Sequence, residues 1–228
     1  PIFAIDMHVR ALSTASLGAM ADIMRATHLD EAIFASLCRE SDMYHVLQRC
    51  AILVSRMALT MPPPMFHDMV RATASWPDLC RRLISTSATL SHARSRKLVA
   101  LGLAHMLRHA SAQDKGLLSA VPDMIGMWTE VVGEVVEDEA GSADRYEREL
   151  SPTRALEIGE DGIPFLDEFG LIEAAPTPSS ARTDAVRSRD PSFNVPLRAY
   201  VADTLNAVLQ NGSYKTQLQS LLATIDPL

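Results

Sequence analysis

Aromatic residues make up only 5 % of this 228-residue chain, and there are just three cysteines. Cys38, Cys50 and Cys80 are odd in number and widely spaced, and none forms a CxxC pair. That pattern excludes a disulfide framework and a structural zinc knuckle, and it reads as reduced thiols packed inside a cytosolic or nuclear protein. No uncharged apolar run reaches the length of a membrane helix, and no charged start leads into an apolar signal region. Sustained period-two runs rich in Val, Ile and Tyr are also missing, so strands are not expected. There is no P-loop, no glycine-rich dinucleotide turn and no nucleophile with a local signature. His105 and His109 stand four apart, but Met106 occupies the place where a zinc protease needs glutamate. The sequence therefore offers no catalytic residue, no cofactor site and no metal site, and an enzyme is not expected. The chain opens on Pro1-Ile2-Phe3 rather than on methionine, which reads as a piece of something longer.

What is present is Ala, Leu, Met and Ser in helical spacing, suited to close helix packing. Periodicity predicts helices over about 12–26, from Asp30 as a cap to Cys38, over 42–60, 65–75, 78–90, 92–110 and 117–139. In the third of these, Leu47, Cys50, Val54 and Met57 form the apolar stripe, while His45, Arg49, Ser55 and Arg56 lie off it. The run Met61 to Pro64 stops that helix because proline cannot continue the hydrogen-bond ladder. In 117–139, Val121, Ile125, Trp128, Val132 and Val135 share a face. Trp76 and Trp128 sit at helical spacing among apolar partners and are expected to anchor the core.

Charge is uneven. Residues 1–116 carry a net of +4 and residues 117–193 a net of −11. The acidic middle argues against direct nucleic-acid binding, which needs Lys and Arg for phosphate, and favours a basic partner. Residues 140–193 are rich in Glu, Asp, Pro, Ser and Gly, with one apolar island at 163–174. Such a segment buries too little apolar surface to offset an ordering entropy of about 1–2 kcal/mol per residue. It reads as an acidic, largely disordered insertion. After it, Asn194 is expected to cap a helix carrying Pro196 in its first turn and Leu197, Val201, Leu205, Val208 and Leu209 on its stripe, ending at Asn211-Gly212. A final helix is expected over about 214–224.

The fold class is therefore all-α: antiparallel helix pairs of about 35–45 residues stacked as a HEAT-repeat α-solenoid, with a compact helical bundle as the alternative. The expected organisation is HEAT-type repeats over 1–139, the acidic insertion over 140–193, and a terminal helix pair over 194–228 that packs on the solenoid.

The order of these pieces carries a resemblance. "MFHDMVRATASWPDLCRRLISTSATLS" (65–91) leads into "HARSRKLVALGLAHML" (92–107), then "MIGMWTEVVGEVVEDE" (124–139), the acidic stretch, "DPSFNVPLRAYVADTLNAVLQ" (190–210) and "LQSLLATIDP" (218–227). This succession resembles the carboxyl-terminal HEAT repeats of karyopherin-β nuclear transport receptors, most of all the importin-eleven branch and its fungal counterpart. The most specific pieces are Asp190-Pro191 with Val195 and Leu197, followed by Met127 to Val131. The resemblance covers most of 65–228 and is looser over 1–64. It implies a nuclear import receptor that shuttles between nucleus and cytoplasm, takes protein cargo, passes nucleoporins and is regulated by Ran-GTP. Ran would be bound through amino-terminal repeats that this chain lacks. A helical-repeat scaffold of some other assembly is the competing reading.

Within that frame Glu130, Glu134 and Glu137 recur on one helix opposite its apolar stripe, extended by Asp138 and Glu139. The cluster lies at a helix carboxyl end, where the macrodipole disfavours negative charge by about 0.3–1 kcal/mol per group. It is either a candidate surface for Lys/Arg-rich cargo, such as ribosomal or ribosome-assembly proteins, or a solvated face leading into the insertion. Arg94, Arg96 and Lys97 read as the exposed start of a helix, or as partners for the acidic excursion, and His105 and His109 as solvent-facing.

Overall fold

The computed structural model describes residues 22–38, 44–111, 113–114, 116–141 and 191–210. Every regular element among them is helical. They are α1 (Leu29–Cys38), α2 (Tyr44–Thr60), α3 (Pro63–Thr73), α4 (Trp76–Ser87), α5 (Ala93–Arg108), a 3-10 turn (Leu118–Ala120), α6 (Val121–Gly141), the single-turn α7 (Pro191–Asn194) and α8 (Leu197–Gln210). Residues 22–26 are helical as well. The expected start at 12, residues 142–190 of the insertion expected over 140–193, and the last helix over 214–224 lie outside the described residues, while the two ends of that insertion, 140–141 and 191–193, are helical.

The breaks follow from local chemistry. Pro62 precedes α3 and Pro63 and Pro64 open it, where a missing N–H costs little. Ala74 is extended, and Ser75 then caps α4 by accepting the Asp78 amide at 3.3 Å. Between α5 and α6 the chain turns at Gly116, whose φ of +86° favours glycine and where a Cβ would lie 2.6 Å from Pro77 Cγ.

Helix α5 is the spine. It packs against α2 and α4 earlier in the chain and against α6, α7 and α8 later, while α1 leans on α2, α3 and α4. An element with neighbours on so many sides must be apolar nearly all round. Leu98, Val99, Ala100, Leu101, Leu103, Ala104, Met106 and Leu107 are all buried. The α2–α5 crossing is close because Gly102 faces Ser55. A Cβ on Gly102 would sit 2.8 Å from Ser55 Cβ. The Trp128 indole donates to the Ala100 carbonyl at 3.0 Å, pinning α6 to α5. The result is an all-α stack in which successive helices bury their stripes on one another, the logic of a helical-repeat solenoid.

Several expectations need correction. Ser55 and Arg56 are buried rather than off the stripe, and Arg56 is only 3 % exposed. The cause is that α2 is covered by α1, α4 and α5 together, so its nominally polar face also meets protein. Lys97, expected at an exposed helix start, is 6 % exposed for a similar reason: α5 has few solvent-facing positions. Asp30 lies within the first turn of α1 rather than ahead of it, and it is buried. Asn194 ends α7 instead of capping α8, and the Pro196 carbonyl accepts the Tyr200 amide at the start of α8. Pro196 therefore stands at the cap position itself, two residues past Asn194.

Candidate functional site: an acidic ridge beside a groove

Helix α6 carries its acids in register. Asp123, Glu130, Glu134 and Glu137 are spaced by seven, four and three residues, which keeps them on one face. Asp123 lies in the first turn, where the helix dipole favours it. Glu130 is exposed. Glu134 is half-buried and is held by the Arg96 guanidinium, whose Nε donates to the Ser87 carbonyl at 3.0 Å. The backbone of Glu137, Asp138 and Glu139 is helical, and their side chains lie outside the described residues.

Beside this ridge, α4 and α6 diverge to leave a groove of about 480 Å³. Its apolar lining comes from Ile84 of α4, Ala88 just past the end of α4, and Pro122, Met127 and Val131 of α6. Gly126 also lines it, and a Cβ there would meet nothing within 4 Å. The α6 wall carries Asp123 and Glu130. The opposite side carries Arg81, paired with Asp78 at 3.0 Å, and Arg96, paired with Glu134. Both cations are therefore engaged. Among the described residues, no hydrogen bond or ion pair holds Asp123 or Glu130.

The other singled-out residues serve the fold. Arg94 lies over the Phe193 ring at 3.9 Å, joining α5 to α7, so none of Arg94, Arg96 and Lys97 forms a free basic run. His105 is half-buried, not solvent-facing: its Nδ1 is 2.6 Å from the Tyr200 hydroxyl. Burial, reinforced by His109, His67 and Arg108, pushes His105 down to about 4, so it is neutral at pH 7 and shares this hydrogen bond with the tyrosine. His109 is exposed, as expected. Trp76 and Trp128 are both core residues. Trp76 donates to Asp114 at 3.1 Å, and Asp114 also accepts from His67 at 2.9 Å and from the Ser111 amide at 2.7 Å. Cys50 and Cys80 are buried, which pushes their thiols up to about 11 and about 12. Such thiols stay protonated and poorly nucleophilic. Among the described residues no group of three or more His, Cys, Asp or Glu could hold a metal, and no helix is long and apolar enough to cross a membrane.

Sequence reasoning set Glu130 and Glu134 on one candidate surface; the groove, Asp123 and the Arg96–Glu134 pair come from the structure. Asp123 was legible as the residue seven before Glu130. The divergence of α4 from α6 was not, because it depends on how two helices separated by α5 are set.

Compared with known proteins, residues 2–228 match the family described as importin-11-like, TPR repeats. No curated protein and no solved structure matches the chain.

Proposed function

Because the chain belongs to the importin-11-like repeat family, a family of karyopherin-type transport-receptor repeats, we propose that it is the carboxyl-terminal part of a nuclear import receptor. In this reading the receptor binds protein cargo and releases it on meeting Ran-GTP. It shuttles between cytoplasm and nucleus past nucleoporins. The single observation that carries the reading is the family match along nearly the whole chain. The described helices support it by forming a layered, binding-competent scaffold with an acidic flank.

The acidic surface of Glu130, Glu134, Glu137, Asp138 and Glu139 is the proposed cargo contact. Basic ribosomal or ribosome-assembly proteins are its natural class of partner, since a sequence of net charge −11 over 117–193 attracts Lys and Arg. Ran-GTP would act through repeats outside this chain. The decisive experiment loads the intact receptor with a basic ribosomal protein and adds Ran-GTP. The expected result is cargo release, together with weaker loading when Glu130 and Glu137 are reversed to lysine. Unchanged loading by the reversed receptor removes the acidic surface from the reading. Failure of Ran-GTP to bind the receptor or to displace any cargo removes the transport function itself.

A further inference from the structure

We propose that the groove between α4 and α6 is a docking site for a cationic amphipathic helix of a protein partner, with its basic side chains on Asp123 and Glu130 and its apolar side chains on Met127, Val131 and Ile84. The inference rests on the reading of the chain as a protein-binding repeat array, and it goes further by locating the site and stating the chemistry of its occupant.

Two observations converge on it. First, the groove is open, apolar at its base and about 480 Å³, a size suited to a few inserted side chains. Two helices that splay apart present the kind of channel that a third amphipathic helix fills. Second, the charges are not balanced within the site. Arg81 and Arg96 are neutralised by Asp78 and Glu134, which leaves Asp123 and Glu130 as the unmatched groups on the rim. Their seven-residue spacing sets them about 10 Å apart along α6. Basic residues two turns apart on a helix lying along α6 reproduce that spacing.

The sequence of α6, with six acidic residues and no basic one over 121–141, decides the sign of the occupant. The chain's own apolar island at 163–174 contains Asp167, Glu168 and Glu173 and no basic residue. It would set like charges against Asp123 and Glu130, so it is disfavoured as the occupant.

The experiment titrates three fluorescently labelled 16-residue peptides with the full 228-residue chain and reads anisotropy. The first is a helix with leucines at four-residue and three-residue intervals and lysines two turns apart along the flank. The second replaces its lysines with glutamate, and the third scrambles the first. Gly126→Phe blocks the groove. Its Cβ meets no neighbour, and a glycine is removed from a helix, so folding is not at risk. Ala202→Phe is the control, since Ala202 is exposed on α8 and does not line the groove. The expected result is saturable binding of the first peptide alone. Binding should weaken at least tenfold in Gly126→Phe and in the Asp123→Lys/Glu130→Lys double variant, and change less than twofold in Ala202→Phe. Equal binding of the scrambled peptide, preference for the acidic one, or equal loss in the two phenylalanine variants would overturn the proposal. None of these outcomes involves Ran. A receptor that ignores Ran-GTP while the first peptide still binds loses the transport reading and keeps the groove.

Discussion

Asp114 shows how much one polar residue can hold in an otherwise apolar stack. Its carboxylate gathers Trp76 from α4, His67 from α3 and Ser111 from the turn after α5, and the Arg71 guanidinium approaches to 3.6 Å. Burial alone pushes this carboxyl up. The Ser111 amide, the hydrogen bonds from His67 and the Ser111 hydroxyl, and the nearby His67 charge reverse that and hold it below the ordinary carboxylate range. Asp114→Ala leaves these donors buried without an acceptor and should cost about 3–5 kcal/mol, read from urea unfolding midpoints. Asp114→Asn keeps one acceptor oxygen and should cost less. The sign of the pH effect follows from the lowered pKa. The carboxylate's contribution is complete above the unfolded-state value and disappears as pH falls through the folded one. The native chain should therefore lose stability below about pH 4 along a slope that Asp114→Asn reduces. An Asp114→Asn chain with the same acid slope would show that the carboxylate is not what couples stability to protons there.

At the scale of elements, two interfaces make opposite demands. The α2–α5 crossing is tight, so Gly102→Ala should be destabilising by about 1–3 kcal/mol, despite a gain of up to about 1 kcal/mol in helix propensity. Adding Ser55→Gly removes the opposing Cβ, and the double variant should recover part of the loss. A purely additive pair would mean that the helices separate freely. The α5–α8 interface instead depends on a neutral imidazole. His105 is held down to about 4 by burial and its cationic neighbours, against an ordinary value near 6.5. A histidine with a lowered pKa stabilises fully above its unfolded value and loses that contribution as pH falls from about 6.5 towards 4. Protection factors of the α8 backbone amides, taken against the intrinsic exchange rate at each pH, should fall over that interval, and His105→Phe should abolish that fall. The helices themselves were legible because their apolar stripes and proline stops are local: the observed α2, α3, α4, α5 and α6 start or end within a few residues of the expected bounds. Burial of Arg56, Lys97 and His105 was not legible. It depends on how many neighbours a helix acquires, and period alone shows one face. The candidate site was legible as acids in register, whereas its groove required the setting of α4 against α6.

For the whole molecule, the question is whether these helices act as one globule or as a line of neighbours. Helix α5 touches α2 and α4 before it and α6, α7 and α8 after it, while α8 packs mainly on α5 and much less on α6. In a stack whose contacts are mostly between neighbours, damage at an end stays local and damage at the spine spreads. Leu103, in α5, is fully buried, and Leu103→Ala should cost about 2–5 kcal/mol and speed amide exchange from α2 through α8. Val208, in α8, is 3 % exposed, and Val208→Ala should speed exchange in α8 and leave α2 and α4 unchanged. Uniform acceleration from both substitutions would describe a single cooperative globule, in which the groove could not be remodelled by its occupant without loosening the rest. The contrasting pattern is the one a transport receptor needs. A partner seated between α4 and α6 would then bias only the helices around it, and its release would not require the scaffold to unfold.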